Sequence, residues 1–209
     1  MRFGGFQPFT LSDYPGHVAA IVFTQGCNFK CPFCHNGDLL SFAPSEKALY
    51  PEEEILRVLK QRQGKLEGLV ISGGEPTVQP DLPRFAATVK TLGYKIKLDT
   101  NGSNPDMLSR LIADRLLDYI AMDIKAPLAR YSRLSGVSVS TRDIEKSIAL
   151  IAGAKLPHHF RTTAVTPLLS PADMQAVREL APPGSELVVQ PFHPENALDP
   201  SLRAEAANG

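Results

Sequence analysis

The sequence predicts an α/β protein folded as a partial (β/α)6 barrel, three quarters of a closed one. Three observations carry that prediction. Six short, apolar, β-branched runs alternate with helix-like segments, which is the pattern of parallel β/α units joined by right-handed crossovers. A closed eight-unit barrel takes about 250 residues, and the chain has 209. Every strand-like run also ends in polar, Gly- or Pro-flanked residues, and in parallel β/α folds that end is where ligands bind. A doubly wound open sheet is the other architecture that this alternation allows.

The first strand-like run is "VAAIVFT" from Val18, leading into "TQGCNFKC". A helix then opens at Pro51 with three glutamates, carries Ile55, Leu56 and Leu59 on one face and stops near Gly64. The second strand, "LEGLVIS" from Leu66, ends in "SGGEPT", and its helix runs from about Asp81 to Gly93. The third, "YKIKLDT" from Tyr94, ends in "DTNG", and Asn104 followed by Pro105 caps the next helix. The fourth, "LDYIAMDI" from Leu117, ends in "MDIKAP" before a helix around Arg142 to Gly153. The fifth, "FRTTAV" from Phe160, ends in "RTTAVTP", and a helix begins at Ser170-Pro171. The sixth, "ELVVQPF" from Glu186, ends in "QPFHP". Residues 1–194 read as one domain and the Ala-rich residues 195–209 as a tail that frays.

Composition narrows the class. Hydrophobic residues make up 43% and charged residues 21% of the chain, as in an ordinary globular protein. Lys+Arg and Asp+Glu balance at 22 each, so no electrostatic case exists for nucleic acid or an anionic membrane as partner. No apolar run approaches the roughly 20 residues that span a bilayer. The start, "MRFGGFQPFTLSDYPG", has one basic residue and no apolar stretch, so the expectation is a cytoplasmic protein without a signal peptide. Thiols stay reduced there, and an odd number of clustered cysteines argues against a disulfide framework.

Those cysteines, Cys27, Cys31 and Cys34, lie in "GCNFKCPFCHN" with C-x3-C-x2-C spacing. Zinc ribbons and fingers pair C-x2-C units with two further ligands far along the chain, and here only His35 is close. Three chance core cysteines would not cluster beside Lys30, His35 and Asn36 in a polar loop. A [4Fe–4S] cluster accounts for the count: three thiolates hold three irons, and the fourth iron keeps an open position for a substrate.

The motif, with the aromatic Phe33 before the last cysteine, resembles the signature of the radical S-adenosylmethionine (radical SAM) superfamily. The resemblance implies that SAM chelates the open iron, that one electron from the reduced cluster breaks the S–C5′ bond, and that a 5′-deoxyadenosyl radical abstracts a hydrogen atom. "SGGEP" is similar to the family's second motif, where Gly73 and Gly74 allow close backbone approach and Glu75 with strand-end carbonyls receives the ammonium of SAM. Cys27, Cys31, Cys34, Phe33 and His35 belong to the first motif.

"LDTNG" and "MDIK" put Asp99 and Asp123 at neighbouring strand ends with Lys125 beside them. Two close carboxylates repel unless a cation or proton lies between them; separate caps or surface ion pairs are the plainer reading. The strings resemble those of glycyl-radical-enzyme activases, including pyruvate formate-lyase activating enzyme. By that resemblance Asp99, Thr100 and Asp123 hold a monovalent cation next to the SAM carboxylate, and Lys125 helps bind SAM. Arg161 suits a carboxylate or peptide carbonyl at the same rim. Gln190 and His193 stand where related activases close the adenine pocket, whereas His158-His159 reads as a solvated loop feature. "SDYPG" resembles the Asp-Gly-Pro-Gly turn of the activases, which would make Asp13 a contact for the glycyl loop; Tyr14 stands where that motif has Gly. A Pro-Gly turn capped by Asp reads equally well.

The motifs occur in activase order along nearly the whole chain, and the nearest group in style and length is the anaerobic ribonucleoside-triphosphate reductase activating proteins. No eight-cysteine insert follows the first motif, which implies a single cluster. The implied partners are a glycyl radical enzyme, namely anaerobic ribonucleotide reductase, and an electron donor such as flavodoxin or ferredoxin. The alternatives are a radical SAM enzyme acting on a small molecule and a non-catalytic metal-binding adaptor.

Overall fold

The computed structural model describes residues 1–45 and 49–205. One seven-stranded sheet runs in the order β1-β2-β3-β4-β5-β6-β7. Its strands are β1 (Phe3–Thr10), β2 (Ala19–Thr24), β3 (Gly68–Gly73), β4 (Lys95–Thr100), β5 (Tyr119–Asp123), β6 (His158–Ala164) and β7 (Leu187–Pro191). β1 pairs antiparallel with β2, and each later neighbour pair is parallel. Right-handed crossovers between strands that stay in sequence order send every helix to the same face. A doubly wound sheet would reverse its strand order at a switch point, and no reversal occurs. The parallel strands β2–β7 are therefore the partial barrel that the sequence predicts.

The helices fall in the crossovers: α1 (Glu52–Gln61), α2 (Leu82–Thr91), α3 (Pro105–Ala113), α4 (Tyr131–Ser135), α5 (Thr141–Gly153) and α6 (Pro171–Leu180). Their starts are chemically marked. Asn104 accepts the Met107 N–H, Ser140 accepts the Asp143 N–H, and Ser170 with Asp173 forms a reciprocal capping box.

β1 is the element that the sequence reading lacks. Its string, "FGGFQPFT", contains two glycines and a proline, which weaken a strand signal, and its phenylalanines recur every third residue rather than alternating. The strand forms at a sheet edge, where proline is tolerated, with register shifts between Phe3 and Gly5 and between Gln7 and Thr10. Fraying after Pro194 also fails to hold as far as Leu202. A short helix, α7 (Pro200–Glu205), follows, with Ala197 and Leu202 buried, and the Asp199 N–H bonds the Pro32 carbonyl at 2.8 Å. Residues 206–209 lie outside the described residues.

Strand alternation sorts the side chains. One face sends Ala20, Val22, Leu69, Ile71, Ile96, Leu98, Ile120, Met122 and Phe160 into the core shared with the helices. Each fully buried large apolar side chain there contributes on the order of 1.5–3 kcal/mol. The opposite, inward face splits by depth. Near the N-terminal ends, Ala19, Ile21 and Val70 pack on Tyr14, with Phe23 and Tyr119 alongside. Lys97 lies on this face level with Val70 and Tyr119, and Asp99, Asp123 and Arg161 follow above it, nearer the C-terminal ends.

Candidate active site

The strand ends converge on a cleft of about 250 Å³. All three cysteines line it, as do Gly73, Gly74 and Glu75 after β3, Asp99 and Thr100 of β4, Asp123 and Lys125 of β5, Arg161 and Thr163 of β6, and Gln190 of β7.

The cysteine loop is held by backbone bonds from several directions. Gly26 N–H bonds Leu39 O at 2.7 Å, Cys27 N–H bonds Leu40 O at 3.2 Å, and Lys30 N–H bonds Ser135 O at 2.8 Å. All three thiols are free, Cys31 buried and the others partly so. Burial, then the nearby Glu75 charge, pushes the Cys27 thiol up to about 12. Burial also raises Cys31 to about 11, against the pull of Lys125. Thiolates at this place need more positive charge than the chain supplies, which a metal centre provides.

The donor set discriminates between centres. One zinc ion requires its ligands to converge within about 2.3 Å of a single point. Among the described residues, no three His, Cys, Asp or Glu side chains are gathered to hold one ion. A cubane cluster bonds each thiolate to a different iron and spreads them apart. Three free, unbridged thiols facing one cleft fit that group.

The Gly-Gly-Glu-Pro turn locks onto the cysteine loop. Gly73 has φ +123°, and a Cβ there would overlap the Thr24 backbone; one on Gly74 would overlap the Gly26 carbonyl. Gly74 N–H bonds Thr24 O and Glu75 N–H bonds Gly26 O, both at 2.9 Å. The close approach expected of these glycines is thus realised first between two loops of the chain itself. Glu75 is only 1% exposed. Its carboxylate accepts from Thr77 N–H at 3.0 Å, Thr77 Oγ1 at 2.6 Å, Thr100 Oγ1 at 2.7 Å and Asn101 N–H at 2.6 Å. Burial pushes this carboxyl upward, and those donors pull the other way. The geometry makes Glu75 a fastener between the β3 and β4 loops, with three donors on Oε1 and one on Oε2.

Asp99 and Asp123 are brought together, as expected, and the cation found between them is a guanidinium. Arg161 Nε donates to Asp123 Oδ1 at 2.9 Å and Nη2 to Oδ2 at 3.3 Å, while Nη1 reaches Asp99 Oδ2 at 3.3 Å. Lys125 Nζ bonds Asp123 Oδ2 at 3.1 Å, and Lys97 Nζ pairs with Asp99 Oδ1 from below. Burial alone would raise Asp123, but Arg161 and then Lys125 outweigh it and hold the carboxyl well below the usual range. For Lys125, burial is likewise overcome by Asp123, which keeps the ammonium charged. The reading of these aspartates as separate caps or surface pairs is corrected by this chain of contacts.

Other expected residues lie more loosely. His35 is exposed and stacks on Phe192 at 5.9 Å, with His193 6.0 Å away. Burial and then His193 lower the His35 imidazole. Phe33 is buried in the core. His158 and His159 are not a solvated loop: both belong to β6, His158 bonds Ser185 Oγ at 2.8 Å, and the buried His159 pairs with Tyr119 Oη at 2.9 Å. Asp13 is not brought to the cleft. Antiparallel β1 ends at Thr10 opposite Ala19, the first residue of β2, so Asp13 sits at the far end of the strands, bonded to Thr10 and Ser12.

The sequence reading missed Ser72, Asn101, Thr163 and Lys97. Lys97 had a usable signal, because a lysine two places before Asp99 in a strand covered on both faces must share its face.

A sequence model described as the radical SAM superfamily matches residues 21–181. A Methanocaldococcus jannaschii protein that carries the provisional name glycyl-radical enzyme activating enzyme is 31% identical over 95% of this chain and 83% of its own length. The 7-carboxy-7-deazaguanine synthase of Neisseria meningitidis is 32% identical over 64% of this chain and 55% of its own. In fold, the chain resembles the crystal structure of Streptococcus suis SuiB bound to S-adenosylmethionine. That match has a TM-score of 0.64 at 16% identity and covers 81% of this chain and 39% of that one.

Proposed function

The chain belongs to the radical SAM superfamily, and from that premise we propose that it activates a glycyl radical enzyme, with an anaerobic ribonucleotide reductase as partner. Family membership makes it an enzyme with radical SAM chemistry, which sets the non-catalytic adaptor aside. When bound, a single [4Fe–4S] cluster and SAM supply one electron and a 5′-deoxyadenosyl radical that removes a glycine Cα hydrogen. Cys27, Cys31 and Cys34 hold the cluster. Gly73 and Gly74 keep the β3 turn against the cysteine loop, and Glu75 fixes that turn to β4. Arg161 and Lys125 present positive charge to the carboxylate of SAM from the ion chain of Asp99 and Asp123. Gln190, His35 and His193 flank the side of the cleft where an adenine would lie, and Phe33 supports the cysteine loop from the core. Asp13 has no place in this arrangement. A one-electron carrier such as flavodoxin or ferredoxin supplies the reductant.

The observation that carries the reading is the set of three free thiols in one cleft with the strand-end charges. The likeness to the M. jannaschii protein supports the activase role. The test is anaerobic reconstitution with iron and sulfide, reduction, and addition of SAM, followed by EPR and a 5′-deoxyadenosine assay. A [4Fe–4S]⁺ signal that changes with SAM, together with product, is expected; a zinc-loaded, colourless protein that leaves SAM intact ends the proposal. A glycyl radical doublet on added anaerobic reductase then establishes the partner. The likeness to the deazaguanine synthase favours a second reading, a small-molecule substrate, which gains if SAM is cleaved and no reductase radical forms.

A further inference from the structure

The resemblance places a monovalent cation among Asp99, Thr100 and Asp123, and the geometry puts a guanidinium between the two aspartates instead. Both Asp123 oxygens face protein cations, Oδ1 accepting from Arg161 Nε at 2.9 Å and Oδ2 from Lys125 Nζ at 3.1 Å and Arg161 Nη2 at 3.3 Å. Asp99 is engaged by Lys97 through Oδ1 and by Arg161 through Oδ2 at 3.3 Å. Thr100 Oγ1 donates to Glu75 at 2.7 Å and accepts the Gly102 N–H at 3.1 Å.

Charge points the same way. Two carboxylates face three cations, Lys97, Arg161 and Lys125, in one connected chain that carries a net +1. Another cation entering there meets repulsion that the low-dielectric interior does little to screen, whereas one carboxylate from a ligand would neutralise the chain. Arg161 is also better suited than a free ion to bridge the aspartates. Its planar fork meets Asp123 through two nitrogens and Asp99 through the third, it stays charged at any working pH, and its attachment to β6 makes it independent of salt composition.

We infer that Arg161 is a built-in replacement for the alkali cation, held in place by Lys97 through Asp99, and that the site takes up SAM without potassium or sodium. The part concerning SAM rests on the function proposed above; the part concerning the cation does not.

The experiment therefore has two readouts. Equilibrium dialysis of the reconstituted protein against ⁸⁶Rb⁺ is expected to show no rubidium bound in an Asp123-dependent way. The Arg161→Ala protein is expected to gain one such site, and the Arg161→Ala/Asp123→Ala double variant to lose it. Rubidium on the unmodified protein that disappears in Asp123→Ala overturns the inference, and that comparison decides alone if Arg161→Ala does not fold. The second readout is the SAM Kd by calorimetry with potassium replaced by tetramethylammonium at constant ionic strength. A change within twofold is expected, and a tenfold weakening overturns the inference. If SAM binds in no salt, the function proposal falls and the rubidium result still decides the question of the cation.

Discussion

At the C-terminal ends of the strands the barrel interior carries three thiols and five linked charges, whereas at the N-terminal ends it is filled by Tyr14. The Tyr14 ring is 2% exposed, packs on Ala19, Ile21 and Val70, and lies edge-on to Tyr119 at 5.9 Å. Gly68 makes room for it, since a Cβ there would come within 2.8 Å of the ring. Burial and then the Asp118 charge push the phenol upward, so it stays neutral. Charges above such an apolar floor interact more strongly than they would in a solvated bore. One end provides stability and the other provides chemistry, and they can be broken separately.

The largest effect on folding is expected at the closed end. Tyr14→Ala empties a fully enclosed volume and should cost about 3–5 kcal/mol in urea unfolding, while iron per folded chain after reconstitution stays unchanged. Tyr14→Phe keeps the packing and should cost less than about 1 kcal/mol. A fall in iron loading for either variant would mean that the two ends are not independent. Gly74→Ala should do the reverse. It pushes the β3 turn off the Gly26 carbonyl, costs about 2–3 kcal/mol, and reduces iron content and SAM cleavage at least tenfold.

Acid sharpens the comparison, because the ionic end has carboxylates to lose. Asp123 titrates below its unfolded value, so its contribution is complete above pH about 4 and disappears as pH falls through the lower folded value. That is on the order of 2 kcal/mol. Unfolding followed between pH 5 and 2 should show this loss, and Asp123→Asn should flatten it. The smallest effect belongs to Asp13→Ala, which removes only turn hydrogen bonds to Thr10 and Ser12. It should change stability by less than about 1 kcal/mol and leave SAM cleavage untouched; a loss of glycyl radical formation would restore Asp13 to substrate contact.

The open end was largely legible in the sequence because its parts are local. The cysteine spacing, the Gly-Gly-Glu-Pro turn and the two aspartates each lie within a few residues at a strand terminus, and the short, apolar, β-branched runs fix which strands bring them. What stayed hidden depends on long-range pairing. Arg161 meets Asp123 across 38 residues and Asp99 across 62, so a carboxylate pair that demanded a cation did not reveal which cation. Asp13 lies shortly before the strand that carries the cysteines, yet the chain enters that strand from its N-terminal end. Proximity in sequence could not say that an antiparallel β1, itself obscured by Gly and Pro, delivers the turn to the opposite rim. His159 looked solvated because a His pair is polar, but in β6 alternation buries one of the two.

The sheet order has a consequence for the chain as it is made. Each strand pairs with the one synthesised just before it, so the barrel can assemble in the order of translation, at roughly 5–20 residues per second. A nascent chain that has emerged through β3 already contains the three thiols and the glycine turn that grips their loop. The aspartates come out later, and Arg161 later still. For the seconds in between, the three thiols meet the cell without the surrounding charges, so under the cluster assignment proposed above the availability of iron and the absence of oxygen matter before the protein is finished.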